Sequence, residues 1–249
     1  MLPVPGPQSP DPTPPGVPIA ARFVALLEIL ICSGVPTQVA LAATFTVLGY
    51  PPFGPGGRLQ IGFVVGVSLV DTVLLVGLIV MFLLAHGESP RGVLFGPRRI
   101  VHEIRFGLPL TFVVLGVGIG ILLAIRTLMP SMHTVEQNPI EGLLTSARDA
   151  WLFAVVAVVA GGVREEIQRA FLLHRFESWL GGGTVGVIVT STAFGAGHLI
   201  QGYDAGIVTG VLGAFWGIVY LRRRSVVAPM VSHAGFDLLQ ILQYVVLKG

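Results

Sequence analysis

The hydrophobic residues of the chain fall into seven long runs that short polar segments separate. The runs lie at about 22–48, 59–84, 107–128, 148–174, 184–201, 204–221 and 226–247. A helix that spans a bilayer needs about 20 predominantly apolar residues, and each run is close to or above that length. The pattern predicts an all-α, polytopic integral membrane protein, a helical bundle of about seven transmembrane helices.

The composition agrees with a membrane protein and narrows its partners. Hydrophobic residues make up 53% of the 249 positions and charged residues only 11%, whereas soluble domains carry about 25% charged residues. The net charge of +2 is small, and no basic cluster is interleaved with aromatic residues. We therefore expect the lipid bilayer, and no nucleic acid, as a partner. Cys32 is the only cysteine, which excludes an internal disulfide and a cysteine-based zinc cluster.

The order of polar and apolar segments predicts three regions. Residues 1–20 are rich in proline and are predicted to form a disordered cytoplasmic tail. This stretch lacks the charged start and apolar core of a cleavable signal peptide, so the first run is expected to remain as an anchor. We expect N-terminal transmembrane helices over 21–146 and a core that carries the chemistry over 147–249.

The basic residues predict an orientation. Most arginines fall on one side of the predicted spans, and cytoplasmic loops carry the excess of Lys and Arg. This distribution predicts a multi-pass protein of the plasma membrane with its N-terminus in the cytoplasm and its C-terminus outside. The loop from His86 to Arg105 would then be cytoplasmic, either as a plain connector or lying partly on the anionic leaflet.

Two adjacent acids stand inside the fourth run, where each charge costs about 2.5–3.5 kcal/mol on an insertion scale. On an α-helix Glu165 and Arg169 lie four residues apart and face the same way. Glu166 points about 100° away from Glu165 and lies three residues before Arg169. The arginine could neutralise one carboxylate and leave the other free to act as a general base. The alternative is a structural clasp between helices, which is also the role expected of Asp71 and Glu28.

Two histidines and an aspartate add candidate chemistry on later runs. His198 ends a glycine-rich segment, and His233 precedes Asp237 by four residues. Asp237 could hold the His233 imidazole in one tautomer, both could reach a shared water or metal, or the two could form a buried hydrogen bond. From the helical rise, Glu165 and His233 lie about 13 and 12 Å from the cytoplasmic helix ends, and His198 about 22 Å. The first two depths favour a cavity that faces the cytoplasm.

The segments "REEIQRAF", "FGAGH" and "HAGFD" follow a known pattern. In these segments, residues 150–245 resemble the CPBP family of intramembrane proteases, which includes the type II CAAX prenyl endopeptidases. The resemblance implies a catalytic site made of Glu165, Glu166, Arg169, His198, His233 and Asp237. The family has three residues between the glutamate pair and the arginine, where this chain has two. It also prefers asparagine at the position of Asp237. The base therefore stays open between Glu165 and Glu166.

The function that we expect is an intramembrane endopeptidase that cleaves a peptide or protein substrate near the membrane face. One glutamate would activate a water with help from His198, and Arg169 would fix the glutamate pair. His233 and Asp237 would orient the reactants or stabilise the oxyanion. His198, His233 and either glutamate would also suit Zn²⁺ as ligands, while a metal-free mechanism explains the same residues. Nothing in the sequence demands a prenyl group on the substrate.

Two other functions compete with a protease. The buried charges could form the relay of an ion- or proton-coupled transporter, although the sequence contains no paired repeat of the kind many transporters have. The same residues could instead belong to a catalytically silent scaffold that binds membrane peptides. The aspartate at position 237 keeps that interpretation open, because a carboxylate lacks the amide donor that an oxyanion needs.

Overall fold

The computed structural model describes residues 18–136 and 140–248. Residues 1–17 of the predicted tail lie outside the described residues. The described residues are helical apart from loops and one antiparallel bridge between Phe53 and Leu59. The helices are α1 Ile19–Ile31, α2 Val35–Val47, α3 Ile61–Ala85, α4 Pro90–Leu94, α5 Ile100–Leu128, α6 Ala147–Val156, a π-helix Ala157–Glu165, α7 Glu166–Trp179, α8 Gly183–Gly197, α9 Tyr203–Arg223 and α10 Val227–Lys248. The predicted all-α membrane bundle is confirmed.

Four helical stretches are long and apolar enough to cross a membrane by length and composition. They are Ile19–Val47, Ile61–Ala85, Ile100–Leu128 and Tyr203–Arg223. Every other predicted run also folds as helix, and the run that continues from α6 into α7 carries most of the buried charge. The chain is therefore a multi-pass membrane protein.

The first predicted span, 22–48, corresponds to the candidate span Ile19–Val47, but a break between α1 and α2 divides it into two helices. Gly34 adopts a positive φ of 83°, and Pro36, at the start of α2, has no N–H to continue the helix. The break frees the carbonyl of Cys32, which accepts a hydrogen bond of 2.8 Å from the Gln168 side-chain amide. Backbone groups at membrane depth must find such partners, since no water is available there.

The fourth predicted span continues without interruption from α6 through the π-helix into α7. In a π-helix each N–H bonds to the carbonyl five residues back, which widens the turn. Within it, Gly161 and Gly162 lie against α10: a Cβ added to them would be 2.7 Å from an Asp237 carboxylate oxygen and 2.6 Å from the Ala234 Cβ. The absence of side chains at these two positions lets the backbone approach α10 closely.

The same close packing of small residues joins the other helices around the site. A Cβ at Gly195 of α8 would be 2.6 Å from the carbonyl of Gly206 in α9, and one at Gly107 of α5 would be 2.7 Å from the carbonyl of Ala228 in α10. Without a strong hydrophobic force between helices in lipid, such close approach is a main source of helix association. Four helices are thereby held at short range around the α7 charges.

The two ends of the bundle differ in charge. We call the end formed by residues 86–105 and 222–227 the basic end, because most of the exposed arginines lie there. Glu103 in the first turn of α5 is fully buried and accepts two hydrogen bonds, of 2.8 and 2.7 Å, from the guanidinium of Arg223. α5 therefore begins at Ile100, seven residues before the predicted start. The side of the membrane on which this end lies stays a prediction.

Candidate active site

A cavity of about 760 Å³ opens inside the bundle beside the α7 charges. Its inner part is lined by Glu165, His198, Trp216, His233 and Asp237, and its outer part by Arg126, His133, Glu136 and Tyr244. The outer residues lie where α5 ends and α10 approaches its last turn, opposite the basic end. The cavity thus extends towards the end of the bundle opposite the basic end, whereas the helix depths had favoured a cavity that faces the predicted cytoplasmic end.

Glu166 is the more deeply buried acid of the pair, with 1% of its side chain exposed. Its Oε1 accepts hydrogen bonds from Arg169 and from Nδ1 of His233, the latter at 2.7 Å. The Arg169 guanidinium lies 4.8 Å from the centroid of the Phe194 ring and 5.6 Å from that of Trp216. These ring faces attract the cation. Of the two pairings that the sequence left open for Arg169, the structure has the one with Glu166, because the two rings hold the guanidinium beside that carboxylate.

Glu165 faces the cavity, with 19% of its side chain exposed. Its Oε1 accepts a 3.2 Å hydrogen bond from Arg164, and its Oε2 lies 4.0 Å from Nε2 of His233. Arg164 in turn forms an ion pair of 2.8 Å with Asp71 on α3. The two glutamates thus have different surroundings: Glu166 is enclosed by cations, and Glu165 borders open space with one arginine behind it.

The His233 ring is held in one orientation. It stacks on Trp216 with ring centroids 3.9 Å apart and an interplanar angle of 18°. The ionised Glu166, bound to Arg169, can only accept, so Nδ1 carries the hydrogen of their shared bond. Nε2 then faces the cavity, 3.7 Å from Asp237 and 4.0 Å from Glu165. Three polar atoms thus surround one position at the inner end of the cavity, and they can hold a water there.

His198 lies at the C-terminal end of α8 and lines the same cavity. Its Nδ1 donates a 2.8 Å hydrogen bond to the carbonyl of Phe194, since a carbonyl can only accept. Nε2 of the neutral ring is then the atom with a lone pair. The Phe194 ring stands between the two histidines, 4.8 Å from the His198 centroid and 6.2 Å from that of His233. α8 is continuous from Gly183 to Gly197, so no break in this helix brings His198 closer to the basic end.

The structure brings all six predicted site residues to one cavity and its wall, while their catalytic roles stay a prediction. Sequence reasoning missed that Arg164 holds Glu165 and that Trp216 holds His233. Asp71, expected to be a helix contact, is one: it pairs with Arg164 and also lines the cavity. The signal for this pair was present, because a lone acid and a lone base at membrane depth need a partner.

The candidate ligands lie too far from one another for the zinc site that the sequence suggested. Zn²⁺ in a catalytic site takes three protein ligands at about 2.0–2.2 Å. Among residues 18–136 and 140–248, no three His, Cys, Asp or Glu side chains form a group that could hold a metal ion. His198, His233 and a carboxylate as they stand therefore do not fit the Zn²⁺ site that the sequence suggested.

Comparison with known proteins finds a family match in the second half of the chain. Residues 147–239 match a family model described as type II CAAX prenyl endopeptidase Rce1-like. The matched range begins with α6, ends inside α10 and contains every residue of the candidate site. No curated protein and no solved structure matches the chain.

Proposed function

We propose that the chain is a CAAX-type intramembrane protease, as the match of residues 147–239 supports, and that it cleaves peptide bonds with a water that Glu165 activates. The observation that carries this proposal is the position at the inner end of the cavity. There Glu165, Asp237 and Nε2 of His233 surround one point, with 4.0 and 3.7 Å separating Nε2 from the two carboxylates. No metal is needed for the proton transfers proposed here.

Glu165 is the better general base of the two acids. A base must come within hydrogen-bond reach of the proton that it removes, and Glu165 borders the cavity whereas Glu166 does not line it. Glu166 is also occupied by Arg169 and His233. We assign Glu166 and Arg169 as positioning residues that fix the His233 ring, and Arg164 as the residue that orients Glu165.

The reaction follows from these positions. Glu165 removes a proton from the water while the water oxygen forms a bond to the carbonyl carbon of the substrate. His233, protonated on both nitrogens and therefore positively charged, donates its Nε2 hydrogen to the resulting oxyanion. The carboxylates of Glu166 and Asp237 compensate the positive charge of the His233 ring. The C–N bond then breaks, and the leaving amine takes the proton from Glu165. His198 lines the same cavity beyond the Phe194 ring, and the free Nε2 of its ring is available to a group of the bound substrate.

The cavity suggests how a substrate reaches this position. Its walls include apolar side chains from three helices, α6, α9 and α10, namely Phe153, Val156, Val208, Leu212, Phe236 and Ile241. Its outer part carries Arg126, His133 and Glu136. A peptide would enter through this polar outer part, with apolar side chains next to the scissile bond contacting the walls. A prenyl group is compatible with such walls, and the proposal does not require one.

The test is cleavage of a diverse peptide pool, with and without C-terminal prenyl groups, by the protein in lipid nanodiscs with mass-spectrometric detection. Loss of a positioned general base costs about 10²–10⁴-fold, so Glu165→Gln is expected to lower the rate at least about 100-fold. Glu177→Gln is the matched control, because it makes the same change at the basic end, outside the residues that line the cavity. Glu166→Gln should disturb the His233 ring and lower activity less.

Two results would contradict the proposal. If Glu165→Gln keeps activity within about threefold of wild type while Glu166→Gln abolishes it, the base is the other glutamate. If cuts persist in both variants and in His198→Ala, a different site or protein makes them. Rates and pH profiles measured together separate a lost base from a misplaced histidine.

A further inference from the structure

A second concave surface lies at the basic end, far from the cavity. It is a groove of about 710 Å³ lined by Arg91, Arg98, Arg99, His102 and Arg105 together with Gly96, Pro97, Ile100 and Val101. We call it the arginine groove. All five basic side chains are exposed, and they come from α4, from the loop before α5 and from the first two turns of α5.

Most of the positive charge of the arginine groove has no carboxylate partner among the described residues. Each glutamate near this end is already paired with a different arginine: Glu88 with Arg175, Glu103 with Arg223 and Glu177 with Arg224. Within the part of the chain that the structure describes, no carboxylate forms an ion pair with Arg91, Arg99 or Arg105. Arg98 approaches Glu103 only to 4.0 Å. An anion would therefore meet at least three unneutralised guanidinium groups.

The groove is built before any ligand arrives. The carbonyl of Leu94 accepts a 2.8 Å hydrogen bond from the backbone of Val226, and the carbonyl of Val93 accepts one of 2.9 Å from the Tyr220 hydroxyl. Nε of Arg98 donates to the carbonyl of Arg223 at 3.1 Å. These contacts tie the loop before α5 to the end of α9, so binding would not have to order the loop.

The groove also adjoins the lipid-facing surface of α5. Ile100 and Val101, which line the groove, are 54% and 57% exposed, and Leu108, two turns further along α5, is 55% exposed. α5 is one of the helices long and apolar enough to cross the membrane. A phosphate in the groove would thus lie at headgroup level, with its acyl chains along the apolar face of α5. The positive end of the α5 dipole also favours an anion there.

We propose that the arginine groove is a binding site for the phosphate headgroup of an anionic phospholipid. The guanidinium groups of Arg91, Arg99 and Arg105 contact the phosphate, and Ile100 and Val101 contact the upper part of the acyl chains. The site holds the α5 end of the bundle at the membrane surface and is separate from the catalytic cavity. Both the charge and the apolar contact are needed for selective binding.

The experiment measures binding of phosphatidylglycerol and phosphatidylcholine with identical acyl chains to the full-length protein by native mass spectrometry. The wild type is expected to bind phosphatidylglycerol more tightly. Each basic residue near an anionic surface contributes about fivefold, before screening by salt. The triple variant Arg91→Gln, Arg99→Gln, Arg105→Gln should therefore lose this preference by about tenfold or more at low salt. These side chains are exposed and unpaired, so the variant is expected to keep its fold, which its thermal unfolding checks.

A matched variant controls for total charge. Arg22→Gln, Arg58→Gln and Arg148→Gln remove the same charge at exposed positions outside the groove, and they should leave the preference within about twofold of wild type. Equal losses in both triple variants, or no loss in the groove variant, would overturn the proposal. A third arm offers sn-glycerol 3-phosphate: displacement of the lipid at equal concentration would mean a site for soluble phosphates, and no displacement supports a lipid site.

Discussion

Replacing Asp71 by asparagine removes the negative charge that faces Arg164 between α3 and the π-helix. Both side chains are buried, with 1% of Asp71 and 8% of Arg164 exposed, and they are 2.8 Å apart. Removing one member of a buried ion pair costs about 3–5 kcal/mol, because the other charge is left uncompensated. Arg164 keeps Glu165 as a second carboxylate at 3.2 Å, so we expect Asp71→Asn to lower the free energy of unfolding by about 3 kcal/mol, the lower end of that range.

A double-mutant cycle with Arg164→Gln measures the pair itself. Unfolding is followed in bicelles for wild type, Asp71→Asn, Arg164→Gln and the double variant, with Glu136→Gln as an exposed control. The expected coupling energy is about 2–3 kcal/mol, since residues in direct contact couple by about 0.5–3 kcal/mol. A coupling below about 0.5 kcal/mol would refute the reasoning, because it would mean that the charges are hydrated through the cavity. Cleavage should also fall in Arg164→Gln, since Glu165 loses its hydrogen-bond partner.

Two further changes test the helix contact and the charges near the basic end. Gly162→Ala would place a Cβ 2.6 Å from that of Ala234, so we expect a loss of about 1–3 kcal/mol in bicelle unfolding; an unchanged value would show that α10 can move aside. Burial raises the pKa of the Glu88 carboxyl, but hydrogen bonds from Arg175 and His174 outweigh burial and hold that pKa below its ordinary 4.5. The ionised Glu88 side chain therefore contributes its full stabilisation above pH 4.5, its ordinary pKa. This stabilisation is lost as the pH falls through the lower pKa that Glu88 has in the folded state. Glu88→Gln should flatten the acid side of the stability profile measured by thermal unfolding, and an unchanged profile would contradict this.

The helices of this protein could be predicted because run length and charge alone mark a spanning segment. The break at Gly34 was not predictable from hydropathy, since both flanking segments are apolar and the turn depends on one glycine and one proline. The start of α5 was missed for the opposite reason. Its first turns contain Glu103 and look like a loop, whereas the charge of Glu103 is neutralised by Arg223, 120 positions away.

For the site, the residue types could be predicted and their partners could not. Spacing on an ideal helix allowed Arg169 to pair with either glutamate. The choice is made by the rings of Phe194 and Trp216, which come from α8 and α9. The position of the cavity depends on which helix ends pack against one another. That packing is a property of the whole bundle, so it could not be predicted from any one segment. The proximity of Glu165 and His233, by contrast, followed from the helical rise.

The π-helix gives this protein room for a change of chain length beside its glutamate pair. A π turn holds about one residue more than an α turn, so it can lose that residue by tightening into α-helix while the helices on either side keep their faces. In an ordinary α-helix the same deletion would rotate one flank by about 100° against the other. We expect single-residue deletions to be tolerated within 157–160 and not within α7. The spacing of two residues between the glutamates and Arg169, one fewer than in the resembling proteases, lies directly after the segment that can absorb such a difference.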